Sequence, residues 1–424
     1  MLKALSFLWL GALLSAGAAF CTQVILARQL GPADFGAFSA AISAVTLIAP
    51  LAGFGIASFW LKAFGKEGYE GLRWIRPSLA FTSLSILAVI ALTIAWSMTG
   101  PHDTLSKQLF LVLSLYITGH TAIELGTAVF QLEGRFTQLA LFQLLPHAMR
   151  LFAVAILSVY FGDRTSAESL AISYAAIALT LFAIGLHPIG RLLSGNITLK
   201  GHEASTPYQR NTTPRPPTVA DILKESWPFG LAGIFHLIYF QSDIILLKYL
   251  AGDDQAGQYN VAFVLMTAAY IFPAVVYQKY LLPKIHRLAN RDLPALRRLY
   301  QRGNTLMALT GAVATLCIIA LAPLAIPLLF GTAYTQATGP LLILAFAAPI
   351  RFVATSVGAM LVTQDNMRRK VTYMGAVAII NLILNLTLIP IYGMTGAAIS
   401  TVFCEALLLL LYWRSVRRFV FNPC

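Results

Sequence analysis

Among the ionisable side chains that lie within apolar stretches of this sequence, five stand out. They are Glu124, Arg150, Asp243, Arg351 and, near the end of its stretch, Lys248. A charged residue at the centre of a membrane costs about 2.5 to 3.5 kcal/mol on insertion scales, so such residues usually face a cavity or a partner. These five are therefore the first candidates for binding or transport chemistry.

Two of the five candidates are arginines, Arg150 and Arg351. A guanidinium group binds phosphate oxygens through two parallel hydrogen bonds, so two buried arginines that face one cavity would suit a phosphate or a diphosphate. The alternative is that each arginine pairs with a carboxylate or with backbone carbonyls and locks helices together. The sequence leaves both interpretations open.

The carboxylates have a similar ambiguity. Asp243 could hold a coupling cation or a proton, or it could neutralise an arginine, and the same two roles apply to Glu124. Asn381 and Asn385 lie four residues apart, share one helix face and favour hydrogen bonds between helices. Three histidines in apolar stretches have no metal-ligand spacing and are interpreted as packing or hydrogen-bonding residues: His120, His147 and His236.

Signatures of catalysis are absent from the sequence. It contains no phosphate-binding glycine loop, zinc-peptidase motif or nucleophile elbow. Its 4 cysteines predict neither a disulfide framework nor a metal site. We therefore expect a protein that is not an enzyme and that uses no cofactor.

The elements that must position these residues are apolar helices. Hydrophobic residues make up 58% of the 424 residues and charged residues 11%, which is typical of a multi-pass membrane protein. A helix needs about 20 apolar residues to cross the hydrocarbon core. Twelve stretches qualify, at about 7–29, 36–61, 76–98, 108–132, 137–161, 168–188, 227–250, 256–282, 304–330, 336–362, 371–391 and 395–415.

Lysine and arginine are distributed unevenly over the predicted loops. If the N-terminus is cytoplasmic, 24 of the 30 fall on cytoplasmic segments and 4 on external ones. By the positive-inside rule, this bias predicts that both termini are cytoplasmic. It also accounts for most of the net charge of +13 without a nucleic-acid partner.

Between the sixth and seventh stretches lies a polar segment that contains four prolines. We interpret residues 189–226 as a flexible cytoplasmic linker between an N-lobe at 1–188 and a C-lobe at 227–424, each with six helices. In the second lobe, residues 288–303 have apolar and basic faces at helical spacing, which predicts a separate helix on the inner leaflet with Asp292 as its N-cap.

The two predicted lobes echo each other in sequence. Residues 23–41 (QVILARQLGPADFGAFSAA) are similar to residues 243–262 (DIILLKYLAGDDQAGQYNVA), with Gly36 opposite Gly257. Likewise VYFG at 159–162 is similar to PIYG at 390–393. Because each lobe has an even number of spans, these echoes predict parallel repeats.

Several segments resemble one known family. They are LARQLGPADFGAFSAA at 26–41, FQLEGRFTQLALFQLL at 130–145, ESWPFGLAGIFHLIYFQSDIILLKYL at 225–250, PLLFGTAYTQA at 327–337 and NLILNLTLIPIYGMTGAAIS at 381–400. These segments are similar to the polysaccharide-unit flippases (Wzx or O-antigen type) of the multidrug/oligosaccharidyl-lipid/polysaccharide (MOP) exporter superfamily.

The resemblance implies an all-α integral membrane protein with 12 transmembrane helices in two pseudo-symmetric six-helix bundles, the MATE-like MOP fold. It implies alternating-access translocation of undecaprenyl-diphosphate-linked oligosaccharides across the bacterial inner membrane. Arg150, Arg351 and Arg28 would hold the diphosphate or acidic sugars. Asp243, Glu124 and Lys248 would couple an ion or tune the charge of a central cavity. The implied partners are the lipid-linked substrate, a proton or sodium ion, and the polymerase and chain-length proteins of the pathway.

Two other functions remain open at this point. A cation-coupled multidrug exporter of the same superfamily would place a lone carboxylate among aromatic residues. A membrane-embedded glycan polymerase or ligase would carry a sizeable external loop with catalytic arginine or histidine, whereas the predicted external loops are only a few residues long.

Overall fold

The protein is described by a computed structural model for residues 2–162, 165–200, 217–281, 285, 288, 292–362 and 367–421. Over these residues the regular structure is helical and contains no strand. Contacts group the chain into two compact units, residues 1–22 with 41–234 and residues 23–40 with 235–424. The predicted all-α class is confirmed.

Helices α1 (Leu2–Ile48) and α9 (Val219–Ala251) contribute residues to both units. The first unit also contains α2 (Pro50–Gly53), α3 (Ile56–Glu67), α4 (Ile75–Thr99), α5 (Thr104–Leu113), α6 (Tyr116–Glu133), α7 (Phe136–Phe161) and α8 (Ala167–Leu193). The second unit also contains α10 (Asp253–Ala274), α11 (Leu293–Phe330), α12 (Thr338–Ala345), α13 (Ala347–Met360) and α14 (Met367–Ser415).

Among the described residues, 7 helical segments are long and apolar enough to cross a membrane, or up to 9 if each of two bent pairs is one span. Two of these segments, Phe7–Thr99 and Met367–Phe421, have 93 and 55 residues. Both are far longer than the roughly 20 residues of one crossing, and they contain three and two of the stretches expected from sequence. The count of twelve stays a prediction.

The sequence echoes coincide with matching backbone breaks. Gly31 breaks α1 at φ 70° and ψ 173°, and its counterpart Gly252 precedes α10 at φ 96° and ψ 165°. Gly162 follows α7 at φ 50° and ψ −127°, and Gly393 breaks α14 at φ 56° and ψ −137°. Positive φ is accessible to glycine at little cost, so the repeated glycines allow the same break in both halves of the chain.

Within the second unit, the two echoed segments pack against each other reciprocally. A Cβ atom on Gly36 would overlap the backbone carbonyl of Asp253, and a Cβ atom on Gly257 would overlap the carbonyl of Pro32. Each glycine thus contacts the carbonyl that lies four residues before the other glycine. One turn further on, Asn260 donates a hydrogen bond to Ser39 at 2.9 Å.

Residues 23–40 belong to the second unit because of these contacts and a further one, in which Tyr334 donates to the Ala27 carbonyl at 2.8 Å. The lobes predicted from sequence, 1–188 and 227–424, assigned this segment to the first half. The contact-based units differ also at α9, whose residues 219–234 group with the first unit. The lobe boundaries stay a prediction.

Part of the predicted flexible linker at 189–226 is ordered, which corrects that interpretation. Helix α8 continues to Leu193, and the Leu199 amide donates to the Tyr69 hydroxyl at 3.1 Å. Apolar residues within the segment join one core cluster of the first unit, namely Ile189, Leu192, Ile197, Leu199 and Ile222. The many prolines and polar residues of the segment favoured a flexible interpretation, although its few apolar residues pack into the core. Residues 201–216, which hold most of the prolines, lie outside the described part of the chain.

The separate helix predicted at 288–303 is also corrected. Asp292 is the N-cap, as predicted, and accepts a hydrogen bond from the Ala295 amide at 2.8 Å. Helix α11 then runs without a break for 38 residues to Phe330. The amphipathic segment is therefore the first part of a long helix, which continues through Gly303 without a break.

We predict that Gly36→Ala destabilises the protein, whereas Gly17→Ala in the same helix does not. A methyl group at Gly36 meets backbone atoms that cannot move independently, and overpacking costs about 1 to 3 kcal/mol. A methyl group at Gly17 meets nothing within 4 Å, and alanine favours a helix over glycine by about 1 kcal/mol. Thermal unfolding in detergent measures both. Equal midpoints for Gly36→Ala and wild type would contradict the reciprocal packing.

Candidate functional site

Arg150 lies on α7 in the first unit and contacts two neighbouring helices. Its guanidinium carbon is 4.9 Å from the ring centroid of Tyr116 on α6 and 5.2 Å from that of Tyr174 on α8. The aromatic faces attract the cation and fix its position. No carboxylate of the described residues lies within ion-pair distance of this half-buried side chain. Among the described residues, the guanidinium of Arg150 is thus held by aromatic rings and not by a carboxylate.

Two histidines accompany Arg150. The ring of His120 on α6 lies 5.9 Å from the ring of Tyr116. Its Nδ1 atom is buried without a hydrogen-bond partner among the described residues. His147 lies one turn before Arg150 on the same helix. These side chains add hydrogen-bonding groups to the neighbourhood of the guanidinium.

Glu124 is not brought into an ion pair with Arg150. It lies on α6, one turn after His120, and its carboxylate faces the end of α2. A Cβ atom added to Gly53 would lie 3.3 Å from its Oε2 atom. The small residue at that position leaves space for the half-buried carboxylate.

Arg351 lies on α13 in the second unit and has a carboxylate partner. Its Nη1 atom donates to Oε1 of Glu405 on α14 at 3.0 Å. Its guanidinium also lies 4.8 Å from the ring of Phe240 and 5.8 Å from that of Tyr270. Of the two interpretations left open by the sequence, pairing with a carboxylate applies to Arg351 in this structure.

Glu405 was missed by the sequence analysis. It stands within the apolar run VFCEALLLLL at 402–411 and is 1% exposed. An acidic residue in so apolar a run is itself a signal, since a lone carboxylate there would be costly. It could have been included with the other candidates on that ground alone.

Asp243 on α9 is 2% exposed and accepts hydrogen bonds from three neutral groups. Oδ2 accepts from the Tyr259 hydroxyl at 2.8 Å and from the Thr401 hydroxyl at 2.6 Å, and Oδ1 accepts from the Asn385 amide at 2.6 Å. Among the described residues, none of its partners is a cation. The network extends from Asn385 to Asn381, whose Oδ1 also accepts from Ser242 at 3.1 Å. The expectation of hydrogen bonds between helices at both asparagines is confirmed.

Lys248 and Arg28 interact at helix ends. Lys248, at the end of α9, is buried and forms an ion pair with Asp253 in the first turn of α10. Arg28 is exposed and donates to the last carbonyls of α11, at 2.7 Å to Leu329 and also to Leu328. A cation at a helix C-terminus interacts favourably with the helix dipole. Both side chains therefore stabilise helix termini here.

Two polar layers lie one turn apart along α14 in the second unit. Thr401 binds Asp243, and Glu405, four residues later, binds Arg351. In the first unit, Arg150 and Glu124 lie on neighbouring helices without pairing. The structure thus places the five candidates in different surroundings. Among the described residues, Arg150 has no carboxylate partner, Arg351 is paired with a carboxylate, and Asp243 has neutral donors. Lys248 lies at a helix end, and Glu124 faces the end of α2.

Comparison with known protein families gives a match over more than half of the chain. Residues 1–289 match the model of the family described as polysaccharide biosynthesis protein. The chain belongs to this family.

Two relatives of this polysaccharide biosynthesis protein have similar sequences. A proposed O-antigen transporter of Shigella dysenteriae is 27% identical over 203 residues, which are 46% of this chain and 48% of that protein. The chain therefore matches about half of the length of this relative. An uncharacterised membrane protein of Methanocaldococcus jannaschii is 23% identical over 395 residues, 92% of this chain and 91% of that protein.

Solved transporter structures share the fold. The lipid II flippase MurJ in an inward closed conformation has a TM-score of 0.73 at 15% identity, covering 97% of this chain and 87% of that one. An inward-facing multidrug resistance MATE transporter of the MOP superfamily has a TM-score of 0.68 at 14% identity, covering 95% and 94%. The predicted MOP fold is confirmed, and this family member is a multi-pass membrane protein.

We predict that Asp243→Ala strongly destabilises the protein. The change leaves the Tyr259 hydroxyl, the Asn385 amide and the Thr401 hydroxyl without their shared acceptor, and each buried unsatisfied group costs about 1 to 3 kcal/mol. Thermal unfolding in detergent is the measurement, with the exposed Asp34→Ala as the matched control. Similar unfolding midpoints for the two variants would show that the network does not hold these helices.

Proposed function

We propose that this chain is a flippase that moves undecaprenyl-diphosphate-linked oligosaccharides across the bacterial inner membrane by alternating access. Both termini would be cytoplasmic, and the product would enter the synthesis of surface polysaccharide. The family match supports a role in polysaccharide biosynthesis. The observation that carries the substrate class is Arg150, a half-buried arginine with no carboxylate partner among the described residues.

A diphosphate suits Arg150 for electrostatic and geometric reasons. Its adjacent oxygens match the planar guanidinium, which donates two parallel hydrogen bonds. In surroundings less polar than water, the attraction of opposite charges about 4 Å apart rises from about 1 kcal/mol to about 4 kcal/mol at an effective dielectric constant near 20. The rings of Tyr116 and Tyr174 hold the cation in place before the anion arrives, which reduces the ordering cost of binding.

The other two arginines rank behind Arg150 in this proposal. Arg351 would bind substrate only in competition with Glu405, and Arg28 only by leaving the carbonyls of α11. Asp243, Glu124 and Lys248 are proposed to couple an ion or tune local charge. Asp243 ranks first among them because its buried carboxylate has neutral hydrogen-bond donors and no cation as partners among the described residues, so a bound proton or sodium ion would neutralise its charge.

The coupling role of Asp243 predicts that Asp243→Asn transports substrate without dependence on an imposed proton or sodium gradient. The amide keeps the shape of the side chain but cannot ionise. The measurement is substrate movement in vesicles with each gradient set in turn, with wild type alongside. Gradient dependence that survives in Asp243→Asn would assign coupling to another residue.

A second candidate function is a cation-coupled multidrug exporter. The observation that favours it is the buried Asp243 carboxylate, which could attract a cationic drug, together with the MATE transporter that shares the fold. This function would leave the free charge of Arg150 without a role. It predicts raised drug sensitivity, rather than lost glycan export, when the gene is deleted.

Deletion of the gene in its host is predicted to abolish surface polysaccharide and to raise the amount of lipid-linked oligosaccharide in the cytoplasmic leaflet. Arg150→Gln should fail to restore export at a wild-type protein level, because the amide keeps hydrogen-bonding capacity but lacks the charge. Arg297→Gln is the matched control, since this arginine is exposed on α11. Surface glycan is measured by electrophoresis and the lipid-linked unit by mass spectrometry.

Two outcomes would reject the proposal. Normal surface glycan in the deletion strain, with no build-up of the lipid-linked unit, would exclude the flippase. Full export by Arg150→Gln would remove the assigned substrate contact while leaving the process itself in place.

A further inference from the structure

Glu405 on α14 is the buried carboxylate that pairs with Arg351. Its Oε1 atom accepts from Arg351, while Oε2 is buried without a hydrogen-bond partner among the described residues. Tyr239 on α9 lies beside this carboxylate and interacts with it, although its buried hydroxyl makes no hydrogen bond of full geometry among the described residues. One side of Glu405 is thus bonded to an arginine, and the Tyr239 hydroxyl lies beside it as a second, weakly engaged donor.

The two members of the ion pair differ in exposure. The side chain of Arg351 is 20% exposed and that of Glu405 only 2%. Arg351 is therefore the more accessible member of the pair. An anion that approaches would reach Arg351 first and would compete with Glu405 for its donors.

Helix packing alone does not require an ion pair at this position. Replacing a buried ion pair with apolar side chains of similar volume is often neutral or stabilising for folding. Guanidinium is also a general binder of phosphate and carboxylate groups, and Arg351 is already positioned over the rings of Phe240 and Tyr270. Both features suit an arginine that exchanges partners.

We propose that Glu405 is an internal competitor that sets the affinity of Arg351 for the anionic part of the substrate. In the empty protein the carboxylate neutralises the guanidinium. When the diphosphate or an acidic sugar takes the donors of Arg351, Glu405 turns to the Tyr239 hydroxyl. The competition weakens substrate binding and so allows release after translocation. This inference rests on the proposed flippase function, and it makes Glu405 a positioning residue.

The first test measures binding and turnover of Glu405→Gln. The amide keeps the shape and an acceptor for Arg351 but removes the competing charge. We expect the purified protein to bind farnesyl diphosphate about 10-fold more tightly than wild type, while maximal export in cells falls. Glu133→Gln is the matched control, since Glu133 also has a side chain that is 2% exposed and pairs with an arginine, Arg191, at 2.6 Å. Its affinity should equal that of wild type.

The second test removes both charges. Arg351→Met with Glu405→Met should reach wild-type levels in the membrane, yet export glycan at least about 10-fold more slowly. This double variant tests the role of the ion pair even where Glu405→Gln fails to fold. Wild-type export by the double variant would show that the pair only fills space between helices. Unchanged affinity in a folded Glu405→Gln would likewise overturn the competition.

These results separate the inference from the proposed function. If wild type binds farnesyl diphosphate and deletion blocks glycan export, but both Glu405 results are negative, only the inference fails. If the deletion strain exports glycan normally, the flippase proposal fails and the inference fails with it.

Discussion

The structure depends on one constraint, that an ionised side chain inside an apolar helix bundle must have its charge balanced by nearby groups. Asp243 meets it with three neutral hydrogen-bond donors, and Arg351 meets it with the carboxylate of Glu405. Arg150 meets it only in part, through the faces of two tyrosine rings. The residue with the least complete balance is therefore the one most able to bind a charged ligand.

Helix α14 connects the second unit's polar groups. Thr401 and Glu405 lie one turn apart on it and bind residues of α9 and α13, while Asn385, earlier on the same helix, binds Asp243 as well. A change in the charge of one layer therefore acts on a helix that also carries the other layer. This arrangement suits a transporter, in which ion binding and substrate binding must influence each other.

Much of the fold was accessible from the sequence because it depends on local signals. Apolar stretches of the right length predicted the membrane class, and the echo between 23–41 and 243–262, found in the sequence, coincides with matching backbone breaks at Gly31 and Gly252. The partners of buried charges were not accessible. Arg351 and Glu405 are 54 residues apart, and nothing in either segment specifies that they meet. The linker was misjudged for a related reason, since Ile197 and Leu199 show their role only when the helices they contact are in place.

The central claim is that the protein moves an anionic lipid-linked oligosaccharide with Arg150 as its anion contact. The most direct measurement reconstitutes the purified protein in vesicles with a fluorescent polyprenyl-diphosphate oligosaccharide and follows its transfer between leaflets with an impermeant quencher. The account predicts rapid transfer with wild type and little with Arg150→Gln at equal protein incorporation. Absence of transfer with wild type, in vesicles that accumulate a cationic dye, would contradict the account and favour a drug exporter.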